Sequence, residues 1–269
     1  MERESTNKKK ITEGLSFRDY AIVSCGTLAP ELNYLRKQGF LDVRRIIYTT
    51  PGRHEVLKEL ESQLIEKINL AKQHSKKIIV VYGGKFCYIN VDDPYVTMDT
   101  MIREQEAGST ISRINATHCM DMLASESQRD KISEGRKTWW LTPGWIVYRD
   151  CVFQDWDKGK ANENFPKHDG GAVLLDGIDF WERYSEEHPE KILEFSDWMG
   201  IEIRPHKITL DRLKNLLIDC IVSNLEKEIA ELENSLPAHS AKPSMVQRLE
   251  QLEEELEKAK NETGKVNSS

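Results

Sequence analysis

Ile78-Ile79-Val80-Val81-Tyr82-Gly83-Gly84-Lys85-Phe86-Cys87 is the stretch on which the reading of the fold turns. Ile78 to Tyr82 is an apolar run of β-branched and aromatic residues that follows a polar helical segment ending at Lys76-Lys77. Such a run predicts a strand buried in a parallel sheet. It stops at Gly83-Gly84, and Cys87 follows. Ligands of open α/β sheets sit beyond the carboxyl ends of the strands, so Cys87 is predicted to lie where such folds keep their chemistry.

Outward from this strand, further strands are predicted at 20–25, 43–49, 109–114, 137–142, 172–176 and 201–204. Helices are predicted between them: 29–39, 51 to 74, 96–106, 117–125 with Thr117 as N-cap, one opening at Pro143, and 179–199 with a break at Pro189. The helix after Pro51 carries Val56, Leu57, Leu60, Leu64, Ile65 and Ile68 at nearly helical spacing. Ala161 to Gly171 reads as a polar loop, and Asp92-Asp93-Pro94 as a turn. The alternation predicts an α/β fold: a mainly parallel sheet with helices on both faces. Two helices follow, 210–236 and 245–262, joined by Pro237 to Pro243, and they predict a C-terminal αα-hairpin or short coiled coil. The domain plan is a flexible lead-in at 1–17, an α/β domain of one or two lobes at 18–222, a helical hairpin at 223–262 and a disordered tail at 263–269.

The chain has 269 residues and a formal net charge of −7, which argues against general nucleic-acid binding. Lys8-Lys9-Lys10 precedes no apolar segment and is not read as a signal peptide. No run approaches the roughly 20 apolar residues of a membrane helix. A cytoplasmic protein is expected. The five cysteines are an odd number in a large chain, so reduced thiols are expected rather than a disulfide framework.

Cys25 ends the first strand, Cys87 follows the third, and Cys119 sits in the first turn of the helix after the fourth. Parallel strands end on one edge, so the three sulfurs are expected to converge there, with His118 as a fourth ligand. Thiolates and an imidazole suit zinc, and thiolates alone suit an iron–sulfur cluster. At a helix start, Cys119 is expected to gain thiolate character. Asp121, three residues after His118, is expected to orient the imidazole. A second constellation combines Gly83 and Gly84 with Thr142, Gly144 and Trp145, where a strand runs into a helix N-terminus suited to an anion. Each feature has a plainer reading, since buried cysteine packs as a small hydrophobe and Thr-Pro starts many helices. Cys220 lies in an apolar helix and is expected to be core, while Cys151 is a spare ligand.

Ser24-Cys25-Gly26-Thr27-Leu28-Ala29-Pro30-Glu31-Leu32, Val80-Val81-Tyr82-Gly83, His118-Cys119-Met120-Asp121-Met122-Leu123, Trp140-Leu141-Thr142-Pro143-Gly144-Trp145 and Ala172 to Asp176 together resemble the uncharacterised family called domain of unknown function 1638. The resemblance covers residues 19 to 222. It implies an anaerobic archaeal or bacterial setting beside corrinoid-dependent methyltransferases, hence one-carbon metabolism, with corrinoid reached through a partner protein. Three functions stand open: a zinc or iron–sulfur protein of methyl transfer, a metal-free module binding a small molecule or anion, and an adaptor working through its C-terminal helices. Those helices are also a candidate homodimer seam.

Overall fold

The computed structural model describes residues 15–52, 57–84, 87–88, 93, 95–165, 167–236 and 242–266. In chain order the first half runs β1 (Tyr20–Cys25), a 3-10 turn (Gly26–Leu28), α1 (Ala29–Lys37), β2 (Arg45–Thr49), α2 (Leu57–Lys72), β3 (Lys77–Val81), α3 (Met98–Arg103), β4 (Thr110–Arg113), α4 (Cys119–Leu123) and α5 (Glu126–Ser133). The second runs β5 (Trp139–Leu141), α6 (Pro143–Val147), α7 (Arg149–Val152), α8 (Lys158–Asn164), β6 (Ala172–Asp176), α9 (Phe180–Glu187), α10 (Pro189–Met199), β7 (Ile203–Lys207), α11 (Asp211–Ser235) and α12 (Pro243–Val266).

All strand pairs among the described residues are parallel, as the apolar runs predicted. The strands divide between two sheets, in the orders β2-β1-β3-β4 and β5-β6-β7. In the first sheet Ala21 pairs with Ile78 and Val23 with Val80. These face one way, onto Leu60, Leu64 and Ile68 of α2 and Met98 and Met101 of α3. Ile22, Ile79 and Val81 face the other way, into a core shared with α1, α4, α11 and the second sheet. The alternation of faces along a strand thus places helices on both sides. On the second sheet, Phe153, Trp156, Phe165 and Trp198 form an aromatic cluster with centroid separations of 4.9–6.4 Å.

The two sheets meet at their carboxyl ends. The 3-10 turn after β1 abuts the start of α6 after β5, where a Cβ on Gly144 would fall 1.9 Å from the Thr27 carbonyl oxygen. Glycine is required there because two backbones touch. α11 runs unbroken from Asp211 to Ser235 and buries Leu213, Leu217, Ile221 and Leu225. α12 packs on it, and Leu252 and Ala259 of α12 are buried in the core shared with Leu225.

Several boundaries differ from the sequence reading. β7 begins two residues later than expected, and β5 is shorter. Part of the expected polar loop is α8, capped by the Asp157 carboxylate accepting from Lys160 N–H at 2.8 Å. α5 was not expected. The N-cap of α4 is His118, not Thr117: its imidazole accepts from the Asp121 N–H, which the Thr117 hydroxyl does not reach. α12 continues through Gly264 to Val266, beyond the expected start of a disordered tail. Residues 1–14 of the expected lead-in, Val56, Asp92, Pro94, 237–241 of the expected linker and 267–269 of the tail lie outside the described residues. Phe17, at the end of the lead-in, is fully buried.

Candidate functional site

The carboxyl ends of β1, β3 and β4 open into a cavity of about 510 Å³ at the junction of the sheets. Cys25, Cys87 and Cys119 all line it, together with Gly83, His118 and Trp145. Topology is the cause: each cysteine ends or follows a strand of one parallel sheet, and those ends share an edge.

Packing is tight beneath the thiols. A Cβ on Gly83 would lie 2.7 Å from Cys87 Sγ and 2.5 Å from the Thr117 carbonyl oxygen. Glycine therefore lets the β3 end, the Cys87 loop and the turn before α4 close on one point. Cys25 Sγ and Thr27 Oγ1 stand 3.0 Å apart, and Tyr82 shares hydrogen bonds with Cys25 and Thr49.

Burial dominates the acid–base chemistry here. It pushes the Cys87 thiol up to about 12, and the nearby Cys25 adds to the rise, while the backbone N–H groups of Gly83 and Cys119 pull the other way. Cys119 is pushed well above the ordinary thiol value, by burial first and then by Cys87 and Cys25, with the Trp145 indole opposing. The expected thiolate character at the helix start is thus overturned: α4 is only one turn long, and loss of water outweighs its N–H groups.

His118 is lowered by burial and then by Arg129, so it is neutral at neutral pH. Its Nδ1 accepts the Asp121 backbone N–H at 3.2 Å, which leaves the ring proton on Nε2. Asp121 therefore orients the imidazole through its backbone, not its carboxylate as expected. The carboxylate instead accepts from Thr117 N–H at 2.9 Å and from Arg212 Nη2 at 2.8 Å. Burial alone would raise this acid, but these partners hold it below the usual carboxylate range.

The other candidates divide. Trp145 and Gly83 line the cavity, whereas Gly84, Thr142 and Gly144 do not. Gly84 packs on the Arg113 guanidinium and donates its N–H to Ala116 O at 2.9 Å. Thr142 is fully buried with its hydroxyl unbonded among the described residues, and the helix start behind it is sealed by the Thr27 turn. Cys151 is exposed and outside the cavity; Cys220 is buried in the core, as its apolar helix predicted. Sequence reasoning missed Arg129 and Arg136, which line the cavity wall from α5 and the turn after it. A signal was present: Ser125 and Gln128 have the spacing of a capping box, and both of its bonds form.

Among the described residues, no three His, Cys, Asp or Glu side chains stand in an arrangement that closes on a metal ion. The donor set suits a soft metal, while its present side-chain spacing is wider than one ion requires.

A model of the family described as protein of unknown function (DUF1638) matches residues 48–217. The chain belongs to this family. The DUF1638 span takes in Cys87, His118, Cys119, Arg129, Arg136 and Trp145, and leaves Cys25 before its start and most of the C-terminal helix pair after its end. No curated protein and no solved structure matches the chain. No helix among the described residues is long and apolar enough to cross a membrane.

Proposed function

We propose that Cys25, Cys87 and Cys119 form a soft-metal centre, zinc or an iron–sulfur cluster, in a cytoplasmic protein of one-carbon, corrinoid-linked methyl transfer. One observation carries the reading: three thiols, from the end of β1, the segment after β3 and the start of α4, line one cavity. A soft cation bound among these thiols would displace their protons and offset the cost of burying the resulting charge. Bound there, zinc would supply Lewis acidity and a cluster electron transfer. The chain's own residues do the rest. Gly83 and Cys119 direct backbone N–H groups at the Cys87 sulfur and ease its ionisation. The cavity leaves each of the three cysteines only partly exposed. His118, with its proton on Nε2, acts as a hydrogen-bond donor unless that proton leaves, so the thiols are the principal ligands.

The wide thiol spacing favours a second reading, a metal-free module that binds a small molecule in the same cavity. Elemental analysis and a visible spectrum of protein purified without oxygen separate the two. Zinc in a colourless sample, or iron with sulfide in a brown one, supports the first. Metal-free protein that stays metal-free after incubation with zinc or ferrous iron and sulfide supports the second.

A further inference from the structure

The cavity that the three cysteines line is also lined by cationic and aromatic side chains. We infer that it takes a small, flat organic anion, a carboxylate or a phosphate ester, with the charged end on Arg129 and the body against Trp139, Trp140 and Trp145. The inference rests on the reading of this cavity as the functional site.

Arg129 carries the argument. Its side chain is only 12% exposed, and its nearest acid, Asp121, stands 4.0 Å away. That carboxylate is already held by Arg212 at 2.8 Å and by the Thr117 N–H at 2.9 Å. Arg129 Nη1 donates to the Ala124 carbonyl at 2.6 Å, while Nε and Nη2 donate to no partner among the described residues. A largely buried guanidinium with donors to spare and a shared acid partner is completed by an arriving oxyanion, which it can grip with two parallel hydrogen bonds. Glu126 and Asp130 also border the cavity, but both are exposed at its rim, where water and salt screen them. Trp139, stacked on His168, and Trp140 and Trp145 line the cavity and offer it partly exposed aromatic surface for a planar body.

Those indoles also report binding. Tryptophan fluorescence would be titrated with para-nitrobenzoate, para-nitrophenyl phosphate and neutral para-nitrobenzamide, all nitroaromatic quenchers of similar width. At least one anion is expected to quench saturably and to bind about tenfold or more tighter than the amide. Preference for the carboxylate or for the phosphate assigns the class, and either supports the inference. Arg129→Gln is expected to remove most of the preference, with circular dichroism checking the fold. Should that variant fail to fold, added sodium chloride on the wild type is expected to weaken the anion and leave the amide unchanged. Equal binding of anions and amide, or no saturable quenching by any probe, overturns the inference. Metal content measured on the same samples keeps the two readings apart. Anion preference in protein that takes up no metal overturns the thiol centre alone, and metal without anion preference overturns only this inference.

Discussion

The Cys119 sulfur sits among packed neighbours in the first turn of α4, and its proton is held by lack of water rather than released by the helix. Metal-free protein should therefore react with iodoacetamide first at exposed Cys151 and much more slowly at Cys87, Cys119 and Cys220, as peptide mapping would show. Metal uptake must displace those protons, so apparent affinity should rise with pH. Another buried group makes a separate test. Glu31 is fully buried, both carboxyl oxygens lack a partner among the described residues, and burial followed by Asp176 raises it from the ordinary 4.5 to about 8. The folded state then holds this proton at pH values where the unfolded chain has lost it. Its contribution is full below the unfolded value and is lost as pH rises through the folded one. Glu31→Gln should remove that slope and stabilise the protein at neutral pH by on the order of 3 kcal/mol, read by denaturant titration at several pH values. The cysteines were legible because their positions relative to strand ends show in one dimension. Glu31 and Arg129 were not, because neither burial nor a shared ion-pair partner leaves a periodic trace.

Short elements close the junction of the two sheets, and Gly144 is a tight point of that junction. Gly144→Ala would drive a methyl into the Thr27 carbonyl and part the two sheet ends. A loss of about 1–3 kcal/mol is expected, together with altered fluorescence of Trp145, which lines the cavity on the same helix. Ser125→Ala should cost about 1 kcal/mol by removing the capping box of α5, the helix that carries Arg129. Thermal melts would check both. The long elements were easy to read, since α2 and α11 carry apolar stripes and β1 and β3 unbroken apolar runs. α5 and α8 were harder because short polar helices depend on caps rather than on periodicity.

Parallel pairing was legible for the whole molecule, but its division into two sheets was not: strand runs look alike whichever neighbour they pair with, and β4 and β5 simply fail to meet. That division makes the cavity, since two carboxyl edges facing each other enclose more space than one. α11 and α12 brace the core from outside. A chain ending at residue 236 should keep the α/β body folded but lose on the order of 3 kcal/mol, from buried Leu252 and the apolar residues beside it. The central claim concerns the thiol corner, and metal content tests it most directly. Zinc, iron and acid-labile sulfide would be measured on wild type, Cys119→Ser and Cys220→Ser, all purified without oxygen and checked for folding. The account expects stoichiometric metal in the wild type and in Cys220→Ser, and loss of most of it in Cys119→Ser. Equal metal in all three folded proteins, or none in the wild type after reconstitution, would contradict it.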